Sequence, residues 1–144
     1  MTAGRASRGF TLIELLITLA VIGIITALGT PTLLSALRAS TLRAGAEELV
    51  SAFNRGRQLA VSENRAVCVT HAARVIQYRP GTCAGAIARE TQLTSNMTVS
   101  SAASVSFTYL GAATPAVTYT VTHPQDGRTL RVVVNPSGRV SIAP

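Results

Sequence analysis

Two patterns of hydrophobic residues follow one another along the chain and predict a long helix ahead of a set of strands. From Leu15 to Leu37 no residue is charged, and a helix of that length rises ~35 Å, enough to cross a bilayer core of ~30 Å. From Leu42 onward apolar residues recur at steps of three and four, which places most of them on one helical face. We therefore predict a continuous helix from about Phe10 to Ser62.

The second half of this helix is predicted to lie against a β-sheet along a mostly apolar stripe. The stripe consists of Leu42, Ala46, Leu49, Val50, Phe53, Arg57 and Ala60. The charged residues elsewhere on the helical wheel are Arg43, Glu47, Glu48, Arg55 and Glu63. Arg43 and Glu47 have the i,i+4 spacing of an ion pair, and we expect the charged side chains to form a solvated face.

Beyond Asn64, short stretches of alternating residues separated by turn residues predict strands. The predicted strands are residues 66–70, 75–78, 105–110, 117–123, 128–135 and 139–142. Turns are predicted at 80–81, 124–127 and 136–138, and loops at 84–88 and 95–104. Because Val117, Tyr119 and Val121 alternate with threonines, this sheet should have one buried face. The patterns predict an α+β protein, with a transmembrane and then amphipathic α-helix packed on a C-terminal antiparallel β-sheet.

One acidic residue, Glu14, lies next to the uncharged stretch, four residues after Phe10. A carboxylate at bilayer depth costs about 2.5–3.5 kcal/mol on insertion scales. Two explanations are open. Either the helix is an ordinary signal-anchor that tolerates an acid near the membrane surface, or Glu14 pairs with a positive group.

The sequence Gly9-Phe10-Thr11-Leu12-Ile13-Glu14, after a short leader with Arg5 and Arg8, resembles the N-terminus of type IV pilins and type II secretion pseudopilins. The resemblance implies a pilin-like fold. It also implies that a prepilin peptidase cuts between Gly9 and Phe10 and then N-methylates Phe10. In the filament, Glu14 would face the α-ammonium group of a neighbouring subunit. Such a pair in a nonpolar core fixes register more than it adds stability.

Under this resemblance the chain has four parts. Residues 1–9 are a cleaved leader, 10–37 a transmembrane and filament-core helix, 38–64 the amphipathic half of the same helix, and 65–144 a periplasmic β-sheet domain. Charges near the two helix ends nearly balance, so a cytoplasmic N-terminus follows from the resemblance and from two cysteines that suit an oxidising compartment. The subunit would lie in inner-membrane lipid before assembly and in a periplasmic pseudopilus or pilus afterwards.

Pro31 lies inside the apolar helix, after Gly23 and Gly29. Within a helix, proline costs about 3 kcal/mol and glycine about 1 kcal/mol. A simple kink is one explanation. The resemblance offers another, because many pilins carry a proline at this place, in the part of the helix that loosens during assembly.

Cys68 and Cys83 are the only cysteines, and they span the predicted hairpin of residues 66–78. A disulfide closing such a loop typically contributes ~3 kcal/mol. The alternative is a pair of buried free thiols. Two lone cysteines make a poor metal site, and the C-x-x-C redox spacing is missing.

Weaker motifs in the C-terminal half, Phe107 to Gly111, Gly127-Arg128 and residues 135–140, resemble the H-type minor pseudopilins and the FimT minor pilins. This resemblance implies a structural subunit at the tip or in the initiation complex of a filament. Its partners would be other pilin-type subunits, the prepilin peptidase and the inner-membrane assembly platform.

The chain is strongly basic, with thirteen arginines, no lysine, six acidic residues and a formal net charge of +7. Arginine binds phosphate well, although a genome rich in arginine codons would give the same composition. FimT-type proteins linked to DNA uptake carry a Gly-Arg-x-Arg motif, and Gly138-Arg139-Val140-Ser141 keeps only its first arginine. Arg128 and Arg131 could supply the missing charge for DNA. Alternatively, these arginines keep sheet edges soluble.

The residues offer little for catalysis. His71 and His123 are the only histidines, and neither belongs to a recognisable acid–nucleophile arrangement. Neither a Gly-rich phosphate loop nor a metal-ligand cluster appears in the sequence. We therefore expect no enzyme activity, cofactor or metal. Secretion, motility and DNA uptake all use this subunit architecture, and all three stay open at this point.

Overall fold

The computed structural model describes residues 9–143 except 101 and 102, and all side chains in this range except those of 28–31. In this part of the chain one helix, α1 (Leu12–Ser62), precedes nine strands. The strands are β1 (Val67–Ala72), β2 (Val75–Pro80), β3 (Arg89–Gln92), β4 (Thr98–Ser100), β5 (Val105–Phe107), β6 (Ala113–Thr114), β7 (Val117–Thr122), β8 (Thr129–Val134) and β9 (Val140–Ala143).

The predicted long helix is confirmed, and its end has a local cause. Asn64 adopts a left-handed φ of 49°. The Asn64 N–H donates to the Val61 carbonyl at 3.3 Å, and the Arg65 N–H donates to the Ala60 carbonyl at 3.2 Å. This is the Schellman arrangement, which satisfies the last helical carbonyls and turns the chain out of the helix. By clustering of contacts the chain forms two compact units, the first ending at Leu37 and the second beginning at Arg38.

The strands form two antiparallel sheets rather than the single sheet that the sequence predicted. The five-stranded sheet has the order β3-β2-β1-β5-β6, and the four-stranded sheet has the order β4-β7-β8-β9. The predicted hairpin is confirmed as β1 and β2, in which Val69 lies opposite Tyr78. The predicted meander is confirmed as β7, β8 and β9, in which Tyr119 lies opposite Val132.

The hydrophobic core of residues 38–143 lies between the helix and the inner faces of both sheets. The predicted stripe on α1 is confirmed, since Ala46, Leu49 and Phe53 have no exposed surface. The Phe53 ring contacts the Tyr119 ring of β7, with centroids 4.7 Å apart. The Tyr78 hydroxyl of β2 donates to the Ala52 carbonyl at 3.0 Å. Both sheets are therefore attached to the same helix.

Two glycines make notches in the helix surface that seat side chains from the sheet side. A methyl group built at Gly45 would lie 2.6 Å from Cγ of Met97, next to β4, and one built at Gly56 would collide with Cγ2 of Val69 in β1. A larger residue at either position would push the helix away from its neighbours. The backbone of α1 can therefore approach both sheets closely.

One loop prediction and one strand prediction were wrong. Residues 95–104 were predicted to be a loop because they are polar, but Thr98–Ser100 pairs with β7 as an edge strand. Only Val99 in β4 packs against the core, so its alternation is too short to stand out. The strand predicted at 105–110 ends at Phe107, because a tight turn follows in which Gly111 has a φ of +83°.

Candidate assembly site

The start of α1 has a side-chain cap that the sequence analysis missed. Thr11 precedes the first helical residue, and its Oγ1 accepts a hydrogen bond from the Glu14 N–H at 3.3 Å. Thr11 and Glu14 have the spacing of a capping box, and an acid in the first turn also interacts favourably with the helix dipole. Glu14 therefore has a local reason to be at this position in addition to the role implied by the resemblance.

The apolar half of α1 exposes its side chains to the surroundings. The exposed fraction is 76% for Leu12 and 57% for Ile17, and Leu37 is also exposed. By length and composition, α1 is the one helix among the described residues that could cross a membrane. Segments with this much exposed apolar surface mark sites of membrane or protein contact.

The predicted cleavage positions, Gly9 and Phe10, precede the helix and are exposed. The rest of the leader, residues 1–8, lies outside the described residues. Pro31 belongs to α1. Its side chain is one of those that the structure does not describe, and the kink at this position stays a prediction.

Cys68 and Cys83 form a disulfide, with their Cα atoms 5.1 Å apart. Of the two alternatives left open by the sequence, the structure has the disulfide and not the pair of free thiols. Cys68 is fully buried in β1, and Cys83 belongs to the loop after β2. The Arg79 guanidinium donates to the Cys83 carbonyl at 3.0 Å. The disulfide therefore ties this loop to the centre of the five-stranded sheet.

Glu48 was predicted to belong to the solvated face of the helix. This prediction was wrong, because its carboxylate is bound by the chain that follows β3. One carboxylate oxygen accepts hydrogen bonds from the Thr94 N–H at 2.6 Å and the Thr94 hydroxyl at 2.5 Å, and the other accepts from the Ser95 N–H at 3.0 Å. Partial burial alone would raise the pKa of Glu48, but these hydrogen bonds outweigh it and lower the pKa from 4.5 to about 2. Glu48 thereby anchors the segment between β3 and β4 to the helix. The predicted Arg43–Glu47 ion pair is confirmed at 3.0 Å.

Two turns from different sheets meet in what we call the turn junction, which consists of residues 108–112 and 135–139. The Ala113 N–H donates to the Pro136 carbonyl at 2.9 Å. Gly138 packs so closely on the first turn that a Cβ there would collide with the Gly111 carbonyl oxygen. The Arg57 guanidinium packs on both glycines, with its Nε 2.8 Å from a Cβ built at Gly111 and 3.3 Å from one at Gly138. Two of the C-terminal motifs are therefore in contact.

The three arginines predicted as a DNA patch are not brought together. Arg131 is exposed in β8, where it alternates with the partly buried Leu130 and the buried Val132, so it lies on the outer face of its sheet. It pairs with Thr120 and Ala143. Arg139 is exposed and falls on the same face by alternation, because Val140 pairs with the buried Val134. Arg139 lies four residues before Ala143, the residue that pairs with Arg131. Along an extended strand this is a separation of about 14 Å.

Arg128 lies at the opposite end of β8 from Arg139, in the turn between β7 and β8. Its Nε is 3.3 Å from Oδ2 of Asp126. Oδ1 of Asp126 accepts from the Arg128 N–H at 3.2 Å and lies 3.0 Å from Nδ1 of the buried His123. The Asp126 carboxylate therefore neutralises much of the positive charge of Arg128, which lowers the attraction of this arginine for a phosphate group. This contact also gives His123 an acidic neighbour that the sequence analysis missed.

No group of three His, Cys, Asp or Glu residues able to hold a metal ion occurs within the part of the chain that the structure describes. The site residues that sequence reasoning missed are Thr11, Glu48 and Arg57. The capping spacing could have revealed Thr11. The other two act through residues far away in the sequence.

Comparison with protein families gives two matches that cover different parts of the chain. Residues 45–138 match the model described as type II transport protein GspH. Residues 4–30 match the prokaryotic N-terminal methylation motif. No curated protein matches the sequence.

Solved structures with a similar fold are minor pilins and pseudopilins. The type IV minor pilin FimU of Pseudomonas aeruginosa superposes with a TM-score of 0.60 at 23% identity, covering 74% of this chain and 90% of that one. The minor pseudopilin EpsH of Vibrio cholerae superposes with a TM-score of 0.54 at 12% identity, covering 70% and 94%. At these identities the likeness concerns the fold, which is that of a helix packed on antiparallel sheets.

Proposed function

Because the chain belongs to the GspH family of type II transport proteins, we propose that it matures by cleavage between Gly9 and Phe10 and enters a filament through a charge pair at Glu14. The family match, the methylation motif and the fold identify a minor pseudopilin or minor pilin subunit, anchored by its N-terminal apolar helix and assembling with other pilin-type subunits. The maturation site, the partner of Glu14 and the orientation in the membrane are the steps proposed here.

The observation that carries the proposal is the position of Glu14. It is the only acidic residue among residues 9–37, in a helix whose apolar side chains are exposed. Cleavage before Phe10 would give every subunit an α-ammonium group at Phe10, four residues before its Glu14. The proposed partner of Glu14 is this group on a neighbouring subunit. When exposed apolar segments pack together, a carboxylate without a partner is costly, and an ammonium group in register removes that cost.

The disulfide supports the proposed orientation in the membrane. A bond between Cys68 and Cys83 persists in an oxidising compartment, which supports a periplasmic location for residues 38–144 and a cytoplasmic one for the leader. A prepilin peptidase and an inner-membrane assembly platform are then the proposed partners before and during assembly. Inner-membrane lipid would surround residues 10–37 until the subunit leaves it.

Mass spectrometry of the native polypeptide tests maturation. We expect a chain that begins at Phe10 and carries one additional methyl group on its α-amine. A chain that still begins at the start methionine would refute the proposal.

The role of Glu14 is tested by Glu14→Ala and Glu14→Gln, measuring the subunit in sheared filaments or in the cross-linked pseudopilus fraction. Both variants should be cleaved normally and incorporated poorly, because the charge is missing in each. Thr11→Ala is the control for a role confined to helix capping, since it removes the cap hydrogen bond and keeps the carboxylate. Glu47→Gln controls for loss of an acid elsewhere on α1. Normal incorporation of Glu14→Gln, or equally poor incorporation of Thr11→Ala, would contradict the charge pair.

DNA binding is the second candidate, and one observation favours it: Arg131 and Arg139 are exposed on one face of the four-stranded sheet. The spacing Gly-Arg-x-Arg places two arginines on the same face of a strand, and Ser141 occupies the second of those positions opposite Val133. With two phosphate contacts, binding should be modest, with a log–log salt slope of roughly −1.8. The arrangement therefore supports DNA binding less well than it supports filament assembly.

Titration of the full chain in detergent micelles with labelled duplex DNA tests this candidate. Arg131→Ala combined with Arg139→Ala should abolish any binding, whereas Arg128→Ala should change it little because Asp126 already offsets that charge. Binding that survives the double substitution would reject this face as the DNA site.

A further inference from the structure

The turn of residues 108–112 presents two neighbouring apolar side chains to solvent. Tyr109 is 53% exposed and Leu110 is 75% exposed. Leu110 is more exposed than any other large apolar residue described between 38 and 143. Burying apolar surface of this size is favourable, because it removes that surface from water. Neighbouring exposed apolar residues of this kind indicate a contact surface more often than scattered ones do.

The turn that carries them is held in one conformation. The Gly111 N–H donates to the Thr108 carbonyl at 2.8 Å, and the Ala112 N–H donates to the Thr108 hydroxyl at 3.2 Å. Gly138 and Arg57 pack on Gly111. Because the turn is already ordered, a partner would bind Tyr109 and Leu110 at a low entropic cost.

Two arginines belong to the turn junction or pack on it. Arg57 packs on the turn, and Arg139 directly follows Gly138. Among the described residues, neither arginine is in a salt bridge with a carboxylate. The region outside the apolar helix holds eleven arginines and five acidic residues, since Arg5, Arg8 and Glu14 account for the others. A complementary partner therefore has an acidic surface around an apolar recess.

We propose that Tyr109, Leu110, Arg57 and Arg139, which we call the tip surface, dock onto an acidic face of a different subunit of the same filament. This inference rests on the proposed function and adds the contact made by the sheet domain. Tyrosine and arginine, which supply three of these four side chains, are enriched among protein interface hot spots. A second copy of this chain fits less well, because a two-fold contact would bring Arg57 and Arg139 against themselves. Duplex DNA fits less well, because Leu110 would face a charged phosphate backbone.

In-cell photo-cross-linking of the full chain tests the tip surface. A benzophenone amino acid at position 110 should cross-link to another pilin-type subunit of the filament, with the cross-linked peptide mapping to an acid-rich surface. The same probe at Gln92 should give at least about tenfold less of that product. Gln92 is exposed on the edge strand β3, at the end of the five-stranded sheet opposite to Phe107. Adding Tyr109→Ser and Arg139→Glu to the position-110 probe should lower its yield about tenfold or more, since hot-spot truncations cost 2 kcal/mol and above.

Arg89→Glu is the matched control for charge reversal, because Arg89 is exposed on the distant edge strand β3 and should leave the yield unchanged. Equal loss with Arg89→Glu would show a non-specific charge effect and overturn the proposal. All the substituted side chains are exposed, so an unchanged urea midpoint is expected and confirms folding. Products joined only to a second copy, products joined to DNA, or no product at all would also overturn it.

A probe at Ile17 in the apolar helix separates this inference from the proposed function. If position 17 cross-links to filament subunits while position 110 does not, the subunit assembles and the tip surface is wrong. If neither position gives a filament subunit, the proposed function itself fails.

Discussion

Replacing single glycines by alanine measures how much the turn junction contributes to stability. Gly111, Gly127 and Gly138 all have positive φ, of 83°, 67° and 76°, so each alanine meets the same backbone penalty of about 1–2 kcal/mol. Alanine also restricts the unfolded chain more than glycine does, and this offsets about 0.4–1 kcal/mol of the penalty. Gly127→Ala should therefore cost only about 1 kcal/mol, because a Cβ at that position meets no atom within 4 Å.

The other two variants differ from this reference only in what the new methyl group touches. At Gly138 it collides with the Gly111 carbonyl oxygen, and backbone cannot move aside as a side chain can. Overpacking of this kind adds about 1–3 kcal/mol, for a total of about 2–4 kcal/mol. At Gly111 the nearest atom is Nε of Arg57 at 2.8 Å, which belongs to a flexible side chain. Gly111→Ala should consequently fall between the other two.

Urea unfolding of the full chain in detergent provides the measurement. The near-ultraviolet circular dichroism of the buried tyrosines, Tyr78 and Tyr119, reports on the sheet domain separately from the apolar helix. With a urea m-value of about 1–3 kcal/mol/M, Gly138→Ala should lower the midpoint by roughly 1 M or more. Equal midpoints for Gly127→Ala and Gly138→Ala would show that the two turns do not touch and would refute the junction.

Three further predictions concern residues outside the junction. Glu48→Gln should cost about 1–2 kcal/mol at pH 7, after discounting for solvent screening. Because the folded pKa is lowered, the contribution of this carboxylate is present above pH 4.5 and is lost as the pH falls toward about 2. The pH dependence of the midpoint should therefore flatten in the variant, and an unchanged slope would contradict the anchor. Replacing Cys68 and Cys83 by serine should cost about 3 kcal/mol, and reduction of the native chain should lower its melting temperature while leaving that of the variant unchanged. Burial raises the pKa of Tyr119 to about 12, so the neutral phenol contributes stability that is present below pH 10 and is lost as the pH rises through about 12. Burial also raises the pKa of Tyr78, so Tyr119→Phe should weaken the alkaline fall in melting temperature without abolishing it, and an unchanged fall would contradict this assignment.

The elements with a regular pattern could be predicted from the sequence. The steps of three and four on α1 and the alternation of valine, tyrosine and threonine in β7 are each set by a single buried face. Val99 in β4 shows the limit, because a three-residue edge strand needs only one apolar residue. Pairing with β7 comes from the tertiary structure, and the local composition does not reveal it.

The candidate site divides in the same way. Glu14 and the cysteines could be identified because a lone acid in an apolar stretch and a single pair of cysteines are informative by themselves. The helical spacing assigned Arg57 to the face of α1 that packs on the sheets, and this was right. The spacing could not predict that the guanidinium packs on glycines more than fifty residues later in the chain. Glu48 similarly acts on a loop 46 residues away. Contacts of this range depend on how the sheets are placed, which no local pattern determines.

The notches at Gly45 and Gly56 have a mechanical consequence for a subunit that is pulled along its helix. They lie about three helical turns apart, and each seats a side chain from the sheet side, Met97 at one and Val69 at the other. A slip of one turn, about 5.4 Å, would have to lift both side chains out of their seats together. A force along the helix would therefore act on both sheets at once, because the helix is interlocked with side chains at two separate glycines.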